Sequence, residues 1–142
     1  MDVNAVATQL VKTYGETGAP NLEQWTQALQ LPDNQPIKLI NFFKFAKHAS
    51  YPDGRRATGE EAFGAYAAVS GACLERAGGR FVFMGGSGGV FVGESEDWDL
   101  IVVGEYPDKQ ALLALFQDEE YAHIYPHRVA GCEAQRVLIC IG

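Results

Sequence analysis

The run Ile37-Lys38-Leu39-Ile40-Asn41-Phe42-Phe43-Lys44-Phe45 places one amide, Asn41, at the centre of a largely apolar segment. An amide buried without partners costs about 1 to 3 kcal/mol, so Asn41 needs either a ligand or a neighbouring loop to hydrogen-bond it. A second polar group lies near the C-terminus, where Tyr121, His123, Tyr125, His127 and Arg128 follow one another closely. An arginine there can grip a carboxylate or enolate through two parallel N–H bonds. Its competing use is an ion pair with an acid such as Glu120 or Glu133. His123 and His127 have the i, i+4 spacing of two metal ligands on one helix face. Pro126 distorts that face and no third ligand set is recognisable, so no metal is expected. Proton transfer suits them better, because an imidazole titrates near neutral pH.

Four further positions carry polar chemistry. Tyr66 falls on the apolar stripe of a helical segment and is either core or a catalytic acid, since a buried phenol needs a partner. Lys38 and Lys44 share the even face of the strand around Asn41, where a charged end must snorkel, pair or line a wet cavity. Trp98 either walls a pocket or seals a rim. The run Gly85-Gly86-Ser87-Gly88-Gly89 lacks the G-x-x-x-x-G-K-[ST] pattern of a phosphate loop and leads into Val90-Phe91-Val92, not a helix. It reads as a glycine interruption in a strand, leaving space beside Phe81 and Phe83 for a pocket. Ser87 has no evident His and acid partners, so a hydrolase triad is not supported.

The elements that must position these groups follow from periodicity. Val3, Val6, Leu10 and Tyr14 recur at helical spacing before Gly15, and Asn21 caps a second helix with Leu22, Trp25 and Leu29 on one face. Residues 1–35 are therefore a helical extension. Pro36 opens a different pattern, and residues 36–142 read as β-α-β-β-α-β. The first strand spans 37–45; Thr58 and Glu61 form a capping box for a long helix ending at Gly78-Gly79. Phe81 to Met84 begins the second strand and Val90 to Val92 continues it, Trp98 to Val103 forms the third, and Val137 to Ile141 the fourth. Between the last two, Pro107 and Asp108 start one helix and Asp118 caps another, expected to be kinked or divided by Pro126. This is an α+β chain with a ferredoxin-like antiparallel sheet, the extension and the sheet domain making one structural unit. Both faces of the first strand are partly apolar, so something besides the chain's own helices should cover the second, and a partner subunit is the simplest candidate.

The composition narrows the class. A chain of 142 residues with 47% hydrophobic content has one core's worth of apolar surface. Its net charge of -7, with 11 Lys and Arg scattered along it, sets an unfavourable field for nucleic acid. The start has no basic region followed by an apolar one, and no stretch approaches a membrane span, so a cytoplasmic location is expected. The 3 cysteines, Cys73, Cys132 and Cys140, lack C-x-x-C spacing and read as reduced, buried thiols.

The order of elements, with the 39–45 segment, Gly78-Gly79, Trp98-Asp99 and Glu120-Tyr121 through His127-Arg128, resembles the family called domain of unknown function 1330 over about residues 37–140. That resemblance implies a branch of the dimeric α/β-barrel superfamily, hence a homodimer with two ferredoxin-like sheets face to face and a pocket between sheet and helices or within the barrel. It does not account for the extension. Superfamily relatives include cofactor-independent monooxygenases, some of which place a first-strand Asn near substrate, as well as haem enzymes, lactone isomerases and stress-response proteins. Fold alone does not choose among them. The leading expectation is a monooxygenase- or isomerase-like enzyme without a tightly bound cofactor, acting on a compact, acidic, partly apolar substrate. Asn41 would orient the substrate, Arg128 would bind its anionic end, Lys44, Tyr121 and Trp98 would line the site, and His123, His127 or Tyr66 would move a proton. The rival is a non-catalytic dimeric ligand-binding or stress-response module.

Overall fold

The computed structural model describes all 142 residues. Two helices come first, α1 (Val3–Tyr14) and α2 (Leu22–Leu29). Asp2 caps α1 by accepting from the Ala5 amide, and Asn21 and Gln24 cap α2 reciprocally. Trp25 and Leu29 are buried, whereas Leu22 stays exposed.

Residues 36–142 then fold as β1 (Ile37–Phe45), α3 (Gly59–Ala77), β2 (Arg80–Gly85), β3 (Leu100–Tyr106), α4 (Lys109–Gln117), α5 (Glu119–Gly131) and β4 (Cys132–Ile141). The sheet has 4 strands in the order β2-β3-β1-β4, and every neighbouring pair is antiparallel. This is the ferredoxin-like arrangement expected from the sequence. Thr58 and Glu61 form the capping box of α3, and Gly78 ends it in the left-handed conformation at φ 100°.

Two local expectations are corrected, and a third is narrowed to one of its alternatives. Val90–Val92 does not extend β2: the strand stops at Gly85, and Phe91 stands fully exposed in the loop before β3. β2 is the edge of the sheet, so strand pairing on its outer side is absent, and the glycines raise the cost of ordering the chain. Next, β3 begins at Leu100, leaving Trp98 in the preceding loop. Finally, α5 is one helix running across Pro126 and is not divided. A proline inside a helix costs about 3 kcal/mol, which the packing of α5 against α3 outweighs.

That packing depends on missing side chains. A Cβ on Gly59 would overlap the Ala46 carbonyl, and one on Gly131 would stand 2.7 Å from both the Gly59 carbonyl and the Phe63 nitrogen. The start of α3, the end of α5 and the chain leaving β1 therefore meet backbone to backbone.

One face of the sheet lies under the helices, and on it Ile37, Asn41, Phe43, Val102 and Tyr106 are buried. The opposite face presents Ile40, Phe42, Ile101, Val103, Phe83 and Leu138, and none of these is buried. The N-terminal helices join the same core as the helix layer, since Ala7, Leu10, Trp25 and Leu29 cluster with Phe116, Tyr121 and Tyr125. Tyr14 donates to the Phe116 carbonyl at 2.7 Å, and Lys109 to the Leu31 carbonyl at 2.7 Å.

Candidate functional site

On α5 the positions Tyr121, Ile124, Tyr125 and Arg128 recur at helical spacing and all face inward. Arg128 is therefore carried into the space between the helix layer and the sheet, where it is only 6% exposed. It has no acidic partner. Its Nε donates to Gln135 Oε1 at 2.9 Å, Nη1 to the Tyr66 hydroxyl at 3.2 Å and Nη2 to Asn41 Oδ1 at 3.3 Å. The second N–H on each terminal nitrogen has no acceptor in the chain. The guanidinium also lies over the rings of Phe43, Tyr125 and Tyr66, at 4.7, 5.2 and 5.5 Å from their centroids. Burial works against its charge, but the oxygens of Tyr125, Tyr66 and Tyr121 outweigh it, so the group is held firmly cationic.

Tyr66 and Tyr121 share one hydrogen bond, 2.7 Å between hydroxyl oxygens. Two phenols bring two protons and this bond uses one, so one O–H is left over to point elsewhere. Burial raises Tyr121 well above the usual phenol range, with Tyr66 adding to the effect. It stays protonated at neutral pH and is a donor, not a base.

Asn41 serves Arg128. Its amide nitrogen donates to the carbonyls of Val102 at 3.1 Å and Leu39 at 3.3 Å, which fixes the oxygen toward the guanidinium. β1 is the central strand joining β3 and β4, so this anchoring is rigid.

These groups border a cavity of about 910 Å³ with a mostly hydrophobic lining. Leu39, Phe43, Leu100 and Val102 form its floor, Phe63, Ser70 and Leu74 of α3 its roof, and Pro20, Trp25, Ala28 and Leu31 its N-terminal side. Val137 and Ile139 line it while remaining exposed, so the cavity opens along β4. α2 and the turns on either side of it thus cover part of their own chain's cavity. Its space comes from separation between helices and sheet; the Gly85–Gly89 run contributes nothing to the lining.

The expected site residues divide accordingly. Asn41, Tyr66, Tyr121 and Arg128 come together at the cavity. His123 is exposed on the outer face of α5, and His127 meets the Tyr51 hydroxyl through Nδ1 at 2.6 Å, away from the lining. Both were expected to move protons, but the helical spacing that points Tyr121, Tyr125 and Arg128 inward turns them outward. Lys44 pairs with Asp97 at 2.9 Å and Asp99 at 3.4 Å, and the hydrogen bond to Asp97 leads in raising its pKa. Trp98 packs on Phe42 and under Arg136 at the end of the open face, where it donates to Glu96. Neither reaches the cavity. Arg76, not Arg128, takes the ion pairs with Asp118 and Glu120.

Sequence reasoning left Gln135 and Trp25 out of the site and, though it noted Tyr125 beside Arg128, gave it no role there. Tyr125 was findable from the Tyr121, Tyr125, Arg128 spacing. Gln135 pairs with Phe43 across β1 and β4, a register that no local pattern reveals. No group of three or more His, Cys, Asp or Glu side chains stands close enough to share a metal ion. Cys73 is buried and Cys132 half-buried, with the Cys132 thiol pushed by burial up to about 11, so both stay protonated; Cys140 is half-buried. No helix is long and apolar enough to cross a membrane.

No curated protein matches the chain. Two solved structures are similar to it: methylated RPA0582 protein, at 33% identity and TM-score 0.82, and the RPA0582 protein of unknown function from Rhodopseudomonas palustris, at 31% identity and TM-score 0.80. Both likenesses cover 87% of this chain, and they cover 93% and 95% of the other chains respectively. The family described as domain of unknown function (DUF1330) matches residues 55–141, more than half of the sequence, and the chain belongs to that family.

Proposed function

We propose that the cavity binds a compact, largely apolar organic acid or enol whose anionic oxygen sits on Arg128, and that the chain acts on it without a tightly bound cofactor. One observation carries this reading: a buried guanidinium with spare donors and no carboxylate stands at the wall of an apolar cavity of about 910 Å³. That volume lies in the range of sites for small organic molecules, roughly 300 to 1,000 Å³. Taking a cation out of water costs several kcal/mol unless something compensates it, and a bound anion does so. The chemistry supported is isomerase-like. Arg128 would stabilise an enolate oxygen and the spare O–H of the Tyr66–Tyr121 pair would hydrogen-bond to it, while the proton on the neighbouring carbon would leave to, and return from, solvent entering along β4.

The second reading, a non-catalytic ligand-binding or stress-response module, is favoured by the lining itself. It contains no Asp, Glu or His to act as a base. Deuterium exchange at the carbon next to a carbonyl, in keto acids incubated with the protein in deuterated water, separates the two. Exchange supports the enzyme, and binding without exchange supports the module.

Binding is tested first by thermal shift with hexanoate to decanoate beside their neutral amides. The acids should raise the melting temperature and the amides should not. Equal stabilisation by both would remove Arg128 from the reading. We further propose that a second copy of the chain covers the open face of the sheet, because Ile40, Phe42, Phe83, Ile101, Val103 and Leu138 form an apolar surface there. Light scattering should give twice the chain mass; a mass of 15.5 kDa at micromolar protein would count against it.

A further inference from the structure

Tyr106, at the end of β3, is only 4% exposed and lines the cavity. Of the 6 tyrosines it alone has a hydroxyl with no hydrogen-bond partner. Tyr14 donates to the Phe116 carbonyl, Tyr51 meets His127, Tyr66 shares its bond with Tyr121, and Tyr125 donates to the Gly18 carbonyl. Buried phenols are almost always satisfied in folded proteins. Packing does not seal this one: the one side-chain nitrogen or oxygen that is both closed off and unpaired is Trp25 Nε1, so the Tyr106 oxygen is unpaired and still reachable. Its direction follows from β3. Gly104 precedes it by two residues on the same sheet face and also lines the cavity, and a Cβ there would stand 3.6 Å from the Tyr106 oxygen. The ring therefore lies back along the strand toward Val102, whose carbonyl accepts from the Asn41 amide that holds Arg128. The hydroxyl falls about one two-residue step, roughly 7 Å, from the level of that amide. Burial raises Tyr106 above the usual phenol range, with Tyr66 adding to the effect and Arg128 opposing it, so the group is a donor within electrostatic reach of both.

We propose that Tyr106 is a further binding residue of the cavity, and that its occupant is an oxo acid: the anionic group sits on Arg128 and a keto oxygen farther along the apolar chain accepts from the Tyr106 hydroxyl. This rests on the anion-binding reading above and adds to it a second point of recognition. Gly104 is what leaves room for it, because the absent side chain opens the floor of the cavity over which the hydroxyl lies.

The test uses the full chain, octanoate, and octanoates carrying a keto oxygen at each successive carbon from the fourth to the seventh. Tyr106→Phe keeps the ring and removes the hydroxyl. Calorimetry should show that at the matching position the substitution weakens the keto acid roughly three- to tenfold and leaves octanoate within about twofold. If it weakens no keto acid more than octanoate, the inference is overturned while the Arg128 site stands. If plain acids bind Arg128→Met as tightly as the natural chain, the anion site fails and the inference falls with it. Stability without ligand gives a second reading. Because the hydroxyl holds nothing in the chain, Tyr106→Phe should keep or raise the melting temperature. A fall of more than about 3 °C, or failure to fold, would show that the hydroxyl has a structural partner and would overturn the assignment.

Discussion

Arg128 and Arg76 are both helical arginines, and they differ in what surrounds them. Arg76 is half exposed and holds Asp118 at 2.9 Å and Glu120 at 3.1 Å, the hydrogen bond to Asp118 leading in raising its pKa. Arg128 is almost wholly buried and holds only neutral oxygens and aromatic faces. Water and two carboxylates satisfy the first, so it fastens α3 to the start of α5. Nothing of full opposite charge satisfies the second. The protein keeps an anion partner from Arg128 although Glu120 lies two turns earlier on the same helix, which is the arrangement expected when the partner arrives from outside.

The largest effect expected from breaking this contrast is on binding. Arg128→Met should weaken octanoate by on the order of 10- to 100-fold, as for loss of a hydrogen-bonded charge worth about 1.5 to 3 kcal/mol. Arg76→Met should leave it within about twofold, and calorimetry on both variants measures the difference. Equal losses would mean that the effect is general destabilisation. Next in size is Asp118→Ala, which removes the α5 cap and one partner of Arg76 together. It should cost about 1 to 2 kcal/mol in urea unfolding, without selective loss of octanoate binding.

A pH profile sharpens the same point. Burial pushes the Asp118 carboxyl up, but the Tyr121 amide and Arg76 outweigh it and leave the group below its ordinary value. Its folded pKa is depressed, so its stabilisation is present above the unfolded carboxylate range, near pH 4, and is lost as pH falls through the lower folded value. Melting temperatures recorded from neutral to acid pH should fall less steeply at the acid end in Asp118→Asn than in the natural chain. Arg76→Met alone should be the smallest change in melting temperature, because its side chain is 52% exposed and the pair is screened.

Local chemistry was the legible part of the sequence. Asn21, Thr58 with Glu61, Gly78 and Asp118 cap helices within a few residues of themselves, and each does so in the structure. Asn41, Tyr66, Tyr121 and Arg128 were visible as polar groups in apolar surroundings. Their partners were less so. The reading of Arg128 as paired with Glu120 or Glu133 fails because α5 turns it away from the surface, and a list of nearby acids does not encode that rotation. His123 and His127 have the type and spacing suited to proton transfer, but the buried stripe of their own helix turns them away from the cavity. Val90-Phe91-Val92 has strand composition but no strand to pair with. Gln135 and Trp25 depend on β4 register and on the docking of α2, which are settled only when the whole chain is assembled.

The contact among Ala46, Gly59 and Gly131 has a consequence for how this protein tolerates change. Arg128 sits one helical turn before a place where three backbones touch with no side chain between them. In a saturation scan the least replaceable positions near the site should therefore include two residues that touch no ligand and carry no function of their own. At Gly59 even a methyl group has nowhere to go, so the scaffold that aims the cation admits no side chain at that position.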